Sequence, residues 1–389
     1  MSITAIFLFI GAILSFGVLA DCIFKRYKIP DAILLLLIGL LLNFYGISII
    51  SSELTPIFSS LALMFILFEV GVELNFYTLI KEIPKASIWS ISIFTLSVLI
   101  TALFSVLVFG LELPLGILLG AIVGGSSSVI VAPLVSKLNI KKDTKYLLTL
   151  ESAITDALCV LIAIITIEYL ILSNKGVVAI SSIIVSSFSV AIVVGFVLGL
   201  IWLNILPRIE SYEYHYILTI GMIFFTYAIT ELFGGIGAIS SLIFGIVLGN
   251  ATRIGKIFYI KNASPMTPTT NKFHRLIVFV IRTFFFVVLG SIVRIANIEI
   301  FIYSLILTLL LFSVRCLGSR LIPDNFMEKQ EKNLIAIMMS RGLAAAVLAP
   351  LPFLHYHLAK TILFPDIVFS VILVSCSISI IGLIVLKIK

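Results

Sequence analysis

The chain has 389 residues, 61% of them hydrophobic and 12% charged, with a formal net charge of +7. A water-soluble globule carries about 25% charged residues; a soluble domain with an oversized core is the alternative, and the spacing of the apolar runs excludes it. No soluble face gathers the basic residues, which excludes a nucleic-acid binder.

The apolar residues come in runs of about 20, the length that crosses the hydrocarbon as a helix. A lipid-exposed backbone must satisfy its own hydrogen bonds, so the runs are read as helices. The period-two alternation of a barrel is absent. The spacing predicts an all-α membrane protein of about thirteen spans: 3–24, 30–50, 55–73, 86–110, 113–136, 144–173, 177–206, 213–233, 234–252, 275–293, 297–321, 333–354 and 363–386. Twelve is the alternative, since the break at Gly234-Gly235 is soft. The first run lacks a basic leader and a small-residue cleavage site, so it reads as a retained helix.

Lysine and arginine gather in alternate loops. The first holds Lys25, Arg26 and Lys28, the third Lys81 and Lys85, and the fifth Lys137, Lys141, Lys142 and Lys145. Arg208 follows in the seventh, then Arg253, Lys256, Lys261, Lys272 and Arg275 in the ninth. Arg320, Lys329 and Lys332 lie in the eleventh, and Lys387 and Lys389 in the tail. The even loops hold Lys175, Arg294 and Lys360. The positive-inside rule then predicts a multi-pass protein of the cell membrane, with the N-terminus outside and the C-terminus cytoplasmic.

Cys22, Cys159, Cys316 and Cys376 sit singly inside apolar runs and read as small apolar fillers. No Walker A loop and no GxGxxG opening a βαβ unit is present, so neither an ATP-driven pump nor a bound cofactor is expected. The polar stretch 253–274 is too short for a domain and reads as a linker. His215, His274, His355 and His357 lie near span ends as interfacial residues. The His355-x-His357 pair lacks further ligands at zinc-like spacing.

Ionisable groups at mid-membrane are costly and so are functional candidates by default. They are Glu69, Glu151, Asp156, Glu231, Arg282, Arg315 and Arg341, with Glu168 nearer a helix end. The run 113–136 is interrupted by Gly124-Gly125-Ser126-Ser127-Ser128. The next run carries Glu151-Ser152-Ala153-Ile154-Thr155-Asp156, in which residues four apart share a face. Glu151 therefore stacks with Thr155, and Ser152 with Asp156, while the two acids diverge by about 140°. A carboxylate flanked by a hydroxyl suits a small dehydrated cation, because hard cations prefer oxygen ligands. Burial disfavours a bare charge, so the same carboxylate also takes a proton. A group that holds one or the other, never both, is the minimum machinery for exchange.

Glu69 either lines an entrance or pairs within the membrane. Arg282, before Phe284-Phe285-Phe286, is a candidate counter-charge to Glu69 or Glu231. Arg341 lies in Met339-Ser340-Arg341-Gly342 and needs a partner at this depth. Glu151 is the natural choice, leaving Asp156 to bind and release. Both small-residue interruptions fall in the middle span of a three-span set, spans four to six and eleven to thirteen. The odd gap between the sets inverts one relative to the other, as in transporters built from inverted repeats with broken helices. Small residues packing helices closely is the plainer reading of either interruption taken alone. An intramembrane protease needs HExxH or two acids brought together; neither is found, and no enzyme activity is expected.

With these motifs the sequence resembles the monovalent cation:proton antiporter superfamily, in particular the NhaP/NHE-like sodium/proton exchangers. Glu151-Ser152-x-x-Thr155-Asp156 is similar to that family's Glu-Ser-x-x-Asn-Asp. Arg341-Gly342 is similar to the arginine on its broken twelfth helix, and Phe68-Glu69-Val70-Gly71 to a segment of its third helix. The resemblance implies an NhaA/NhaP-like antiporter fold with two broken helices that cross near Gly125, Ser127, Ser128 and Gly342. It implies Asp156 as the carrier of Na+ (or Li+ or K+) and H+, with Ser152, Ser126 and Thr155 around it and Glu151–Arg341 as a structural ion pair. It further implies a homodimer for pH homeostasis. A dimerisation part (1–85 and 177–293) would support a core (86–173 and 297–389) that moves as an elevator. Thr155 departs from the family's asparagine. Ser126-Ser127-Ser128 is closer to the Ser-Ser-Thr of the potassium-efflux and electrogenic branch, so a potassium/proton antiporter is the alternative. The single acid at 156 favours electroneutral one-for-one exchange. An organic-anion symporter on a similar inverted-repeat fold would need paired sodium sites, and the sequence shows one compact acidic site.

Overall fold

The computed structural model describes residues 3–27, 30–45, 55–74, 84–172, 177–209, 215–260, 268–293, 298–322, 327–354 and 356–386. Lys28, Lys81, Lys175, Lys261, Arg294, Lys387 and Lys389, and His355 of the histidine pair, lie outside the described residues. All regular elements among the described residues are helical. In chain order they are α1 (Ile3–Tyr27), α2 (Asp31–Phe44), α3 (Thr55–Glu73), α4 (Pro84–Phe109), α5 (Leu113–Gly124), α6 (Ser128–Ser136) and α7 (Lys142–Ile171). Then come α8 (Val177–Ile209), α9 (His215–Leu232), α10 (Gly237–Gly249), α11 (Ala251–Ile257), α12 (Pro268–Ile292) and α13 (Ile298–Leu321). The last are α14 (Lys329–Ile337), α15 (Leu343–Leu348), α16 (Leu351–Leu354), a 3-10 turn at Ala359–Thr361, and α17 (Phe364–Val385).

Among the described residues eight helical segments are long and apolar enough to cross a membrane, or nine if α10 and α11 form one span bent by 84°. Asp31–Phe44, Ile217–Leu232 and Leu343–Leu354 are shorter apolar helices. The run 113–136 is divided into α5 and α6, and the run 333–354 into α14, α15 and α16. The soft Gly234-Gly235 break separates α9 from α10. Gly234 adopts a φ of 72°, which costs glycine least, and Glu231 Oε1 caps α10 by accepting from the Gly237 N–H at 2.8 Å.

The chain forms two compact units. The first comprises Met1–Pro56, Ile83–Ile167 and Arg282–Lys389. Here α4 packs on α5 and on α13, and α13 packs on α14 and α17. Hydroxyls buried along α4 and α13 bond back to their own helices, as with Ser97 to Ile93 O at 2.7 Å and Thr308 to Ser304 O at 2.7 Å. That back-bonding satisfies a polar group where water is absent. Leu134, Leu147, Leu148, Leu334 and Ile335 form one buried cluster that joins α6, α7 and α14. The second unit comprises Ile57–Glu82 and Glu168–Ile281. In it α3 and α10 touch backbone to backbone. A Cβ at Gly245 would run into Phe68 O, and one at Gly249 into Val72 O.

Candidate functional site

The stretch between α5 and α6 meets the stretch between α14 and α15 through the backbone: Ser127 N–H donates to Ser340 O at 2.9 Å. Gly125 (φ −90°, ψ 159°) and Ser127 (φ −80°, ψ 121°) are extended where a continuous helix would close its turns. Such segments free backbone groups that must find other partners. α17 supplies several. Ser375 Oγ accepts from Arg341 N–H at 3.1 Å, Ser340 Oγ donates to Ser379 Oγ at 2.8 Å, and Ser379 Oγ donates to Ile337 O at 2.7 Å. Ser375 and Ser379 stand one turn apart on a single face.

α7 lays its polar face against these segments. Glu151, Ser152, Thr155 and Asp156 are all buried. Asp156 Oδ2 accepts two hydrogen bonds from Ser128, from its N–H at 2.8 Å and from its Oγ at 2.7 Å. Ser128 is the first residue of α6, so the carboxylate faces the positive end of that helix dipole. Thr155 Oγ1 accepts from Ser126 N–H at 3.1 Å and donates to Glu151 O at 2.8 Å. A Cβ at Gly125 would lie 2.5 Å from Cys159 Sγ and 2.9 Å from Thr155 O. Glycine there lets the segment close onto α7, which is why a threonine, shorter than asparagine, still reaches Ser126. Ser152 Oγ donates to Thr149 O at 2.9 Å, leaving lone pairs as what it can offer. Gly342 touches Ser127, whose side chain occupies the space a Cβ would need.

The ion pairs differ from those expected. Glu151 pairs with Arg315, not with Arg341. Arg315 Nη1 and Nη2 each donate to one Glu151 oxygen, the second at 2.8 Å, and Arg315 Nε donates to Ile335 O at 2.7 Å. A planar guanidinium fork matches a carboxylate in this way. The physical reason is packing: α13 lies between α4 and α14, so Arg315 comes level with Glu151, and Trp89 Nε1 on α4 approaches the same carboxylate at 3.5 Å. Arg341 is 3% exposed, and its Nε has no hydrogen-bond partner; Ser127 Oγ is likewise buried without one. Arg282 donates to Asp31 Oδ2 at 2.6 Å, because α2 and α12 close on each other where a Cβ at Gly39 would meet the backbone of Val287 and Gly290. Glu231 caps α10 as described, and Glu69 is half-buried on α3.

Sequence reasoning missed four participants. Arg315 was noted as intramembrane but given no partner. Two arginines inside the candidate core were the available signal that Arg341 was not the sole candidate for Glu151. Ser375 and Ser379, four apart on the last helix, were an unused pattern, as was Asp31 behind Pro30 at the head of an apolar run.

Residues 3–386 match the model of the family described as "Sodium/hydrogen exchanger, transmembrane". The chain is similar to the structure of the sodium proton antiporter MjNhaP1 from Methanocaldococcus jannaschii at pH 8, with a TM-score of 0.79 and 23% identity over 98% of this chain and 100% of that one. It is also similar to the electron-microscopy structure of that antiporter, with a TM-score of 0.71 and 24% identity over 99% and 96% of the two chains. At such identities the structural likeness establishes the fold.

Proposed function

Because the chain belongs to the sodium/hydrogen exchanger family, we propose that it is a secondary antiporter exchanging a monovalent cation, sodium first, for protons. Asp156 carries the cargo. The observation that supports this reading best is the Ser128 pair of donors on Asp156 Oδ2, beside the Ser127–Ser340 backbone contact. It sets one acid where two interrupted helical runs touch.

A dehydrated monovalent cation needs oxygen ligands. Asp156 offers its carboxylate, Ser152 the lone pairs of a hydroxyl whose proton is committed to Thr149, and Ser126 and Thr155 oxygens along the Gly125 approach. Cation and proton neutralise the same charge, so binding one expels the other and their gradients are coupled. Glu151 and Arg315 cancel within the site and fix α7 against α13 and α14.

In this reading α5 with α6, and α14 with α15, are the two broken helices of an inverted repeat, within thirteen spans that begin outside and end in the cytoplasm. A core of 86–173 and 297–389 moves as an elevator against a dimerisation part of 1–85 and 177–293 in a homodimer of the cell membrane. Exchange is one-for-one and serves pH homeostasis. A potassium/proton exchange is the second reading, favoured by Ser126-Ser127-Ser128 and by Thr155 in place of asparagine.

Purified protein in proteoliposomes with an internal pH dye tests both. Asp156→Asn is expected to abolish the pH change evoked by sodium, lithium or potassium salts while the protein still purifies folded. Wild-type exchange by that variant would remove Asp156 from the site. The order of the three salts for the unaltered protein decides the cation.

A further inference from the structure

Arg341 carries a charge that the rest of the site does not balance. Its side chain is buried with Nε unpartnered, and the acid expected to neutralise it, Glu151, gives both oxygens to Arg315. Arginine keeps its proton at any physiological pH. Ser340 and Gly342, on either side of Arg341, both touch Ser127, and the next residue, Ser128, donates twice to Asp156; Cys159 lies beside Gly125, and Cys376 Sγ lies 3.6 Å from the Arg341 backbone O. Thiols are uncharged at neutral pH, and Glu151 with Arg315 sums to zero. The negative charge that remains in range is that of Asp156.

The backbone holds the arginine in place. Ser375 Oγ accepts from its N–H at 3.1 Å, and Gly342, the next residue, is wedged against Ser127. The stem of the arginine therefore starts from a fixed point at the crossing.

We propose that Arg341 is a positioning residue that sets the cation affinity of Asp156, balancing the carboxylate when it is empty and opposing the cargo cation when it is bound. The inference rests on Asp156 being the cation site. Binding against a fixed positive charge keeps the cation loosely held, so it is released on the far side instead of being trapped. For unit charges about 10 Å apart at an effective dielectric near 20, the opposition is worth roughly tenfold in affinity.

Exchange rates in proteoliposomes against cation concentration, at alkaline pH where protons do not compete, read this directly. Arg341→Gln is expected to lower KM roughly tenfold without raising the maximal rate, and Arg341→Lys, which keeps the charge, to hold KM near that of the unaltered protein. A merely structural arginine would instead lose maximal rate at constant KM in both variants. Should Arg341→Gln not fold, Arg341→His, whose imidazole is neutral at the alkaline pH of the assay, is expected to lower KM in the same sense. Unchanged or raised KM in Arg341→Gln, or in Arg341→His, overturns the proposal. Asp156→Asn separates the two claims: if it still exchanges cations, the assignment of the site fails first; if it is dead while KM ignores position 341, only the role of Arg341 fails.

Discussion

Glycine does opposite work in two regions of the molecule. Between α3 and α10, Gly71, Gly245 and Gly249 let two continuous helices touch carbonyl to Cα, with backbone hydrogen bonds kept inside each helix. At the α5–α6 and α14–α15 stretches, Gly125 and Gly342 sit where the helix has stopped, and the close neighbours are Cys159, Thr155 and Ser127. The first region is a seam that needs only small volume. The second needs small volume together with replacement partners for freed backbone groups, and Ser127, Ser340, Ser375 and Ser379 provide them. A glycine in an apolar run marks an interrupted helix only when serines elsewhere can take over its hydrogen bonds.

The comparison can be broken by substitution. The largest stability loss is expected from Arg315→Ala, which leaves Glu151 charged, dry and without its fork, at a cost of about 3–5 kcal/mol. Thermal melting in detergent would show it, and a variant as stable as the unaltered protein would mean that the pair does not hold α7 to α13. Gly245→Val should come next, at about 3 kcal/mol, because the clash is with the Phe68 carbonyl, which cannot rotate away. Its signature is lost folded yield. Gly342→Ala, against the Ser127 hydroxyl, should spare yield better and damage exchange more; equal damage to both readouts would erase the distinction between seam and crossing.

Smaller effects sharpen the site. Ser128→Ala removes the side-chain donor to Asp156 Oδ2 but leaves the backbone one. A hydrogen bond to a charged group is worth about 1.5–3 kcal/mol, so cation KM should change at least severalfold in transport assays. No change would place the cargo on another oxygen. At the bottom of the scale, Lys141 pairs with Glu328 at 2.6 Å but is largely exposed. Its proton is held above the ordinary lysine range, chiefly by that hydrogen bond. Lys141→Met should leave melting temperature and exchange unchanged, as solvent-screened pairs do.

The sequence placed helices well because run length is a local property. α1, α4, α7, α8, α13 and α17 all fall within apolar runs of membrane-spanning length. Candidate polar residues were legible for the same reason: a Glu or Arg inside such a run is rare and expensive. Glu151, Asp156, Ser126 and Thr155 do come together on α7 and the α5–α6 stretch. Partners were not legible. Asp156 takes two donors from Ser128, and Glu151 is met by Arg315 instead of Arg341. Arg282 finds Asp31, 251 residues away in sequence.

Composition and periodicity therefore determined by themselves that this chain is a helical membrane protein with buried acids among hydroxyls, because hydrophobic length and the cost of a buried charge act residue by residue. Which arginine answers Glu151 was decided only by the tertiary structure. Both arginines satisfy the same rule of charge, and the packing of α13 between α4 and α14 chooses the one that comes within reach.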